Sequence, residues 1–122
     1  MHLDTITLND TRIALITADE QVITDVPSAL DLAMTARYTA GADRLLIPRE
    51  LVADDFFVLR TGLAGEILQK YINYHVKAAF VGDFSGYTSK ALQDFIRESN
   101  KGRDFFFLSD REEALRRLAS AD

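Results

Sequence analysis

The sequence predicts an α/β domain built on a mostly parallel sheet. Three short apolar stretches, RLLIP, KAAFV and FFFL, are typical of strands that are buried on both faces. Segments with helical spacing of apolar residues alternate with them, which indicates a parallel sheet with right-handed crossovers. The length of 122 residues suits one core, so we expect a single domain over residues 1–122.

An antiparallel hairpin is expected to open the chain. The stretch LDTITLN is rich in β-branched residues, the dipeptide ND at positions 9 and 10 is a turn signal, and RIALIT follows as a second strand. The stretch QVIT is expected to add a short third strand. A helix then begins at a cap on Thr24 or Asp25, accommodates Pro27 in its first turn, and ends at Gly41.

Strands and helices alternate through the rest of the chain. RLLIP is followed by RELVADDFFVLR, which begins with a helical turn and then fits no class, and by a helix from about Gly62 to Tyr74. The strand KAAFVGD, a helix from about Ser89 to Asn100 with Gly102 as its C′ residue, and the strand DFFFLS follow. Ser109 and Glu112 have the spacing of a capping box for the last helix. The predicted order is β-β-(β)-α-β-α-β-α-β-α.

The composition argues against several classes of function. A net charge of -5 and the lack of a basic run argue against binding to nucleic acid or to an anionic membrane. The chain has no cysteine, which excludes disulfides, thiolate metal sites and cysteine nucleophiles. Its first residues lack the apolar segment of a signal peptide, and no apolar run is long enough to span a bilayer, so we expect a cytoplasmic location.

Two family resemblances emerge from these segments. The succession FFVLRTGLAGEILQKY, KAAFVGD, FFFLS and DREEALRRL, from Phe56 to Leu118, resembles the STAS domain of sulfate transporters and anti-sigma-factor antagonists. That resemblance implies a STAS-like sandwich. More closely, DFFVLRTGLAGEILQKYINY, VGDFS and ESNKG resemble the bacterial family of domain of unknown function 4180 over nearly the whole chain. That family carries no established activity.

The STAS resemblance implies a regulatory role for Thr61. In the antagonist proteins, a serine just before a Gly-Leu pair is phosphorylated by a partner kinase, which controls binding to that kinase. The Gly-Leu pair here is Gly62-Leu63, so Thr61 occupies the phospho-acceptor position. The preceding Leu59 and Arg60 depart from the aspartate and serine of the family pattern. The resemblance thus implies signalling through a protein partner.

The residues themselves leave Thr61 with alternative roles. Its hydroxyl suits a helix N-cap that bonds a first-turn amide, and this plain cap is the favoured interpretation. A phosphate on Thr61, or a free anion, would also be stabilised by the first-turn amides, the helix dipole and Arg60.

The helix after Thr61 is expected to present a docking face. Gly65 in the helix interior costs about 1 kcal/mol relative to alanine, so its presence indicates a close approach by another element of the chain or by a partner. Glu66 and Lys70 have the spacing of a helical ion pair. The predicted docking face consists of Arg60, Gly62, Gly65, Glu66, Gln69, Lys70 and Asn73.

The loop after KAAFV is a second candidate site. It follows the carboxyl end of a parallel strand, where α/β sheets usually bind ligands. Its glycines lack the Walker spacing, and ordinary turn chemistry explains its residues as well, so a structural loop is favoured. If Asp83 and Thr61 share one end of the sheet, they would form a polar surface together. The candidate ligand loop comprises Asp83, Ser85, Tyr87, Thr88, Ser89 and Lys90.

Catalysis and metal binding have little support in the sequence. His75 is expected at a helix end away from the strand-end loops, and the adjacent Asp54 and Asp55 have no histidine partner and no ligand spacing. We therefore predict no catalytic residue, no metal site and no cofactor.

Two functions from different classes are expected. The first is a non-enzymatic regulatory or protein-interaction module that uses the docking face, with Thr61 as a candidate phosphorylation switch and a partner of unknown identity. The alternative is a small-molecule or anion-binding domain, enzymes included, that uses the loop from Asp83 to Lys90. A concave pocket at the strand ends would favour the alternative, and a flat or convex surface the first. Homo-oligomerisation through the glycine-bearing helix face is a third possibility.

Overall fold

The computed structural model describes residues 1–122 and contains one five-stranded sheet and four α-helices. The strands are β1 (His2–Leu8), β2 (Thr11–Thr17), β3 (Arg44–Pro48), β4 (Lys77–Val81) and β5 (Phe105–Leu108). The helices are α1 (Val26–Ala40), α2 (Leu63–Asn73), α3 (Lys90–Lys101) and α4 (Arg111–Ser120). The predicted mixed α/β architecture is confirmed, and so is the order of its elements apart from the bracketed third strand.

The strand order in the sheet follows the order in the chain, from β1 to β5. Strands β1 and β2 are antiparallel, and all other neighbours are parallel. Asn9 and Asp10 between β1 and β2 have φ values of 52° and 62°. A two-residue hairpin turn of type I′ needs left-handed backbone at both positions, and Asn and Asp tolerate it. The predicted amino-terminal hairpin is therefore confirmed.

Three helices cover one face of the sheet and one helix covers the other. The connections from β2 to β3, β3 to β4 and β4 to β5 all step in the same direction, so right-handed crossovers place α1, α2 and α3 on one face. Buried residues of these three helices belong to the larger core cluster, among them Ala33, Ile67 and Leu92. The smaller cluster lies between α4 and the opposite face and consists of Ile13, Leu46, Ala79, Phe106, Ala114, Leu118 and Ala119.

Helix α1 is capped at both ends and tied to α2. The Asp25 carboxylate accepts a hydrogen bond from the Ser28 N–H at 2.8 Å, and the Ser28 hydroxyl accepts one from the Asp25 N–H at 3.0 Å. Gly41 ends the helix with a φ of 64°, as the sequence predicts. The buried Tyr71 hydroxyl of α2 donates to the Ala29 carbonyl at 2.7 Å. Burial raises the pKa of Tyr71, so this hydroxyl keeps its proton and the bond.

The predicted third strand at QVIT does not form. Ile23 makes a single parallel bridge to Val52, and the N–H groups of Val22 and Ile23 both donate to the Leu51 carbonyl. This stretch is therefore held by the turn that follows β3 rather than by a strand of the sheet.

The end of α3 and the start of α4 differ from the prediction. The N-cap of α4 is Asp110, whose carboxylate accepts a hydrogen bond from the Glu112 N–H at 2.9 Å. Because the helix begins one residue later than predicted, Ser109 and Glu112 lose the spacing of a capping box. Gly102 ends α3 in an extended conformation with a φ of -85°, not as a left-handed C′ residue.

Candidate functional site

The loops after β3, β4 and β5 meet at the carboxyl edge of the parallel sheet. Pro48 of β3 is paired with Val81 of β4, and Val81 is paired with Leu108 of β5, so the chain leaves the sheet at neighbouring points. The loop after β4 leads to α3, whereas the loop after β5 leads to α4 on the opposite face. Such a divergence leaves a crevice where open α/β sheets usually bind ligands. Here a cavity between the loops after β4 and β5 measures about 340 Å³, and its polar lining includes Asp83, Ser85, Ser109 and Glu113.

The segment between β3 and α2 consists of three short 3-10 turns, Arg49–Leu51, Asp54–Phe57 and Leu59–Thr61. Phe56 and Phe57 are buried within it. Because 3-10 turns have poorer hydrogen-bond geometry than an α-helix, they stay short and show no sustained period in the sequence. This explains why the stretch RELVADDFFVLR fitted no class.

Thr61 stabilises the last of these turns and is not the N-cap of α2. Gly62 occupies the N-cap position with a φ of 79°, so the predicted N-cap position is wrong by one residue, whereas the predicted bond between the Thr61 hydroxyl and a first-turn amide is present. The Thr61 hydroxyl lies 2.9 Å from the carbonyl oxygens of both Asp55 and Val58, to which it donates. It also accepts a hydrogen bond from the Leu63 N–H at 3.2 Å. The side chain therefore joins two successive turns to the start of α2.

Gly65 lies exposed in the first turns of α2, with no neighbour that requires a glycine. A Cβ atom added there would find no atom of another element within 4 Å. Close packing inside the chain, one of the two explanations that the sequence left open for Gly65, is therefore excluded.

The predicted docking face forms an open groove around Gly65. The groove measures about 540 Å³, and its lining consists of Val26, Gly65, Glu66, Gln69, Lys70 and Asn73. The Gln69 side-chain amide donates to the Asn73 side-chain oxygen at 3.0 Å. Glu66 and Lys70 do not form the predicted ion pair, so both charges stay available on this surface. The structure thus brings the α2 part of the predicted face together, while Arg60 and Gly62 lie outside the groove.

Arg49, which is not among the predicted site residues, connects the loops after β3 and β4. Its guanidinium lies 4.2 Å from the centre of the Phe57 ring and donates to the Tyr87 hydroxyl. It also donates to the Val52 carbonyl at 3.2 Å and to the Asp54 carboxylate at 3.0 Å. The sequence signal that could have identified Arg49 is its position directly after a buried strand, at the carboxyl end where ligand loops were expected.

Most polar residues of the loop from Asp83 to Lys90 have local roles. The Asp83 carboxylate accepts hydrogen bonds from the Ser85 hydroxyl at 2.6 Å and from the Ser85 N–H at 2.9 Å, and these bonds lower the pKa of Asp83. Ser89 is the N-cap of α3 and accepts from the Leu92 N–H at 3.3 Å. Lys90 pairs with Asp94 one turn later at 3.0 Å. These contacts support the structural interpretation of the loop.

The two candidate sites meet in one pocket through Arg60 of the predicted docking face and Tyr87, Thr88 and Ser89 of the predicted ligand loop, and not through the pair Thr61 and Asp83. A pocket of about 490 Å³ has Arg60 on one wall and Gly86, Tyr87, Thr88 and Ser89 on the other. Its apolar lining is made by Phe57, Val58, Leu59, Ala91 and Leu92. Neither Thr61 nor Asp83 lines it, so the polar surface that the sequence predicted for those two residues is formed by their neighbours.

His75 lies at the opposite end of the parallel strands, where the chain passes from α2 into β4. Its φ of 59° places it in the left-handed position that closes the helix, and the Val76 N–H bonds back to the Tyr71 carbonyl at 2.8 Å. No group of three or more His, Asp or Glu side chains is arranged to hold a metal ion. None of the four α-helices has the length and apolar character that a membrane crossing requires.

These features define a mixed α/β domain with a polar groove on α2 and a pocket of about 490 Å³ between the segment before α2 and the loop after β4, which we call the strand-end crevice. The chain belongs to the family described as domain of unknown function (DUF4180), which matches residues 8–118. The resemblance to domain of unknown function 4180 that the sequence showed is thereby confirmed. Neither the curated proteins nor the solved structures contain a significant match to the chain.

Proposed function

We propose that this protein is a non-enzymatic regulatory or protein-interaction module that docks a protein partner in the groove around Gly65. One observation carries this proposal. A glycine inside a helix is about 1 kcal/mol less stable than alanine, yet nothing in the chain occupies the space that the alanine methyl would take. A partner whose atoms approach the α2 backbone in that space would account for the glycine.

The chemistry of the groove suits a polar partner surface. Glu66 and Lys70 supply one charge of each sign, and Gln69 and Asn73 supply amide donors and acceptors. A groove of this kind favours a partner that offers both charges and hydrogen-bonding groups, because unpaired polar groups at an interface lose affinity.

Phosphorylation of Thr61 is the switch in this proposal. The hydroxyl hydrogen of Thr61 is donated to the carbonyls of Asp55 and Val58, and a phosphate ester has no such hydrogen. The added negative charge would also repel those carbonyl oxygens. The turn before α2 would therefore rearrange next to the groove.

A relation to the STAS domain belongs to the same proposal. It is supported by the succession of strands and helices after Phe56 and by the Thr61-Gly62-Leu63 sequence at the start of α2. In this chain, three short 3-10 turns separate β3 from α2.

The second candidate function is the binding of a small molecule or anion in the strand-end crevice. The observation that favours it is the concave pocket of about 490 Å³, in which Arg60 faces the start of α3. Arg60 makes no ion pair within the chain and could balance a negatively charged ligand.

Capture of partners from the native lysate by tagged protein, read by mass spectrometry, tests the first proposal. The groove variants are Gly65→Leu and Glu66→Lys, the switch variant is Thr61→Glu, and Glu98→Lys is the matched control on α3. Leucine at Gly65 fills the groove and favours the helix, so loss of a partner could not be attributed to unfolding.

A partner held by wild type and by Glu98→Lys, but lost by Gly65→Leu and Glu66→Lys, is the expected result. Identical captures with wild type and both groove variants would refute the docking site.

A thermal-shift screen of small anions with wild type and Arg60→Ala tests the strand-end crevice. A shift in melting temperature seen only with wild type would support the second function.

A further inference from the structure

The two outer strands of the sheet differ in whether their outward-facing backbone groups have hydrogen-bond partners. The outer strands are β1 and β5, and each has one row of N–H and C=O groups with no strand beside it. Such rows can pair with another extended chain, and proteins usually protect them.

The edge of β5 is closed by a side chain of the same molecule. The Asn100 side-chain amide of α3 donates to the Phe107 carbonyl at 3.0 Å and accepts from the Phe107 N–H at 2.7 Å. These two bonds imitate the hydrogen bonds of a neighbouring strand. The strand is also only four residues long, so β5 offers no row for another chain.

The edge of β1 is open along seven residues. Leu8 and Thr11 flank the two-residue turn and form a hydrogen-bonded pair, so alternate residues from Leu8 back to His2 bond to β2. Leu3, Thr5 and Thr7 therefore direct their N–H and C=O groups away from the sheet. No backbone contact outside the strand ladder involves these three residues, and no proline, lysine or glycine interrupts the strand.

A second copy of the chain complements this edge. We propose that β1 pairs antiparallel with β1 of a second copy about a twofold axis at Thr5, which joins the two sheets into one. Thr5 then pairs with Thr5 of the partner subunit, and Leu3 pairs with Thr7 of the partner subunit. Each outward N–H meets an outward C=O, and a twofold contact of this kind closes at the dimer.

The charge of Asp4 disfavours a register shifted by one residue toward the amino terminus. Asp4 lies on the same face of β1 as Ile6 and Leu8, which pack against the α4 cluster, and His2 contacts its carboxylate at 3.0 Å. An axis at Asp4 would set two carboxylates directly opposite each other, which destabilises strand pairing. An axis at Thr5 instead sets Asp4 opposite Ile6 of the partner subunit and forms a threonine pair, which is favourable across strands.

Analytical ultracentrifugation from about 10 µM to about 1 mM tests the dimer, since this range covers micromolar dissociation constants. We expect wild type to reach twice the 13.7 kDa of one chain. Thr5→Pro removes an outward N–H that β2 does not use, so the dimer should weaken about tenfold or more while β1 stays paired. Gly65→Leu, on the helix face, should leave the dimer unchanged.

Two results would overturn the proposal. One is a wild type that stays monomeric over the whole range, and the other is a dimer that Thr5→Pro does not weaken. If circular dichroism shows that Thr5→Pro is unfolded, Thr5→Lys decides in its place, because it sets two like charges side by side at the axis.

The absence of cysteine allows a direct check of the register with a spin label on Thr5→Cys. Paired residues at the axis have Cα atoms about 5.5 Å apart, so strong dipolar broadening is expected in the dimer. A dimer without broadening would contradict an axis at Thr5.

Discussion

A Cβ atom on Gly82 would lie 2.4 Å from the Cβ of Arg49 and 3.2 Å from its Cγ. The absence of a side chain at Gly82 therefore lets Arg49 lie against the end of β4 and reach Phe57 and Tyr87. The loops after β3 and β4 depend on this contact for their relative position, and with it the crevice between them.

Gly82→Ala is expected to destabilise the protein by about 1–3 kcal/mol, the usual cost of overpacking. The clash involves the Cβ of Arg49, which cannot move without the backbone at the end of β3. Gly86→Ala in the same loop is the matched control, because a Cβ there meets nothing within 4 Å. Urea unfolding of both variants gives the comparison. Equal free energies of unfolding for Gly82→Ala and Gly86→Ala would show that the close approach of Arg49 to Gly82 does not limit the size of the residue at position 82.

Gly65→Ala is expected to raise the free energy of unfolding by about 0.5–1 kcal/mol, because alanine has the higher helix propensity and finds open space. Gly62→Ala, three residues earlier, should lower it by about 1 kcal/mol, because a φ of 79° strains any residue with a Cβ. Thermal and urea unfolding measure both. A destabilised Gly65→Ala would mean that the chain itself needs the glycine.

Asn100→Ala is expected to cost about 1–3 kcal/mol, because the N–H and C=O of Phe107 lose their only partners at the β5 edge. Asn73→Ala, which removes an exposed amide with one contact, should change the stability much less. Asn100→Ala should also self-associate more readily than wild type, because the β5 edge is then open, and light scattering at high concentration would detect this. Stability and mass equal to those of Asn73→Ala would contradict the role of Asn100.

The cap of α1 predicts a loss of stability in acid. The Ser28 N–H and then its hydroxyl lower the pKa of Asp25 below the 3.8 of an unfolded aspartate. This group therefore contributes stability that is fully present above 3.8 and is lost as the pH falls through the folded value. Asp25→Ser keeps a cap that does not titrate, so its urea midpoint should fall less than that of wild type between about pH 5 and about pH 2.5. Asp31→Ser, on the same helix, is the matched control, and its urea midpoint should fall by as much as that of wild type.

Most of the fold could be predicted because its signals are local. Continuous apolar runs mark β3, β4 and β5, the pair Asn9 and Asp10 marks the hairpin, and Asp25 and Gly41 bound α1. Each of these features acts over a few residues, so the sequence alone displays it.

The candidate site was predicted less well because its contacts join distant parts of the chain. Arg49 meets Tyr87 across 38 positions, and Ile23 finds Val52 rather than the sheet. The role of Thr61 depends on the carbonyls of Asp55 and Val58, which face it only because 3-10 turns form there. Gly65 was recognised from the sequence, but only the structure separates the two explanations for it.

The single helix on the second face of the sheet has a consequence for synthesis on the ribosome. Helix α4 follows all five strands in the chain, so the sheet emerges with Ile13, Leu46 and Phe106 still uncovered. Exposed apolar surface of this kind promotes aggregation until it is buried. Arg44 bonds the carbonyls of Leu118 and Ala121 and holds the far end of α4 in place. Docking of α4 is thus the step that removes this apolar face from water and with it the tendency of the open sheet to aggregate.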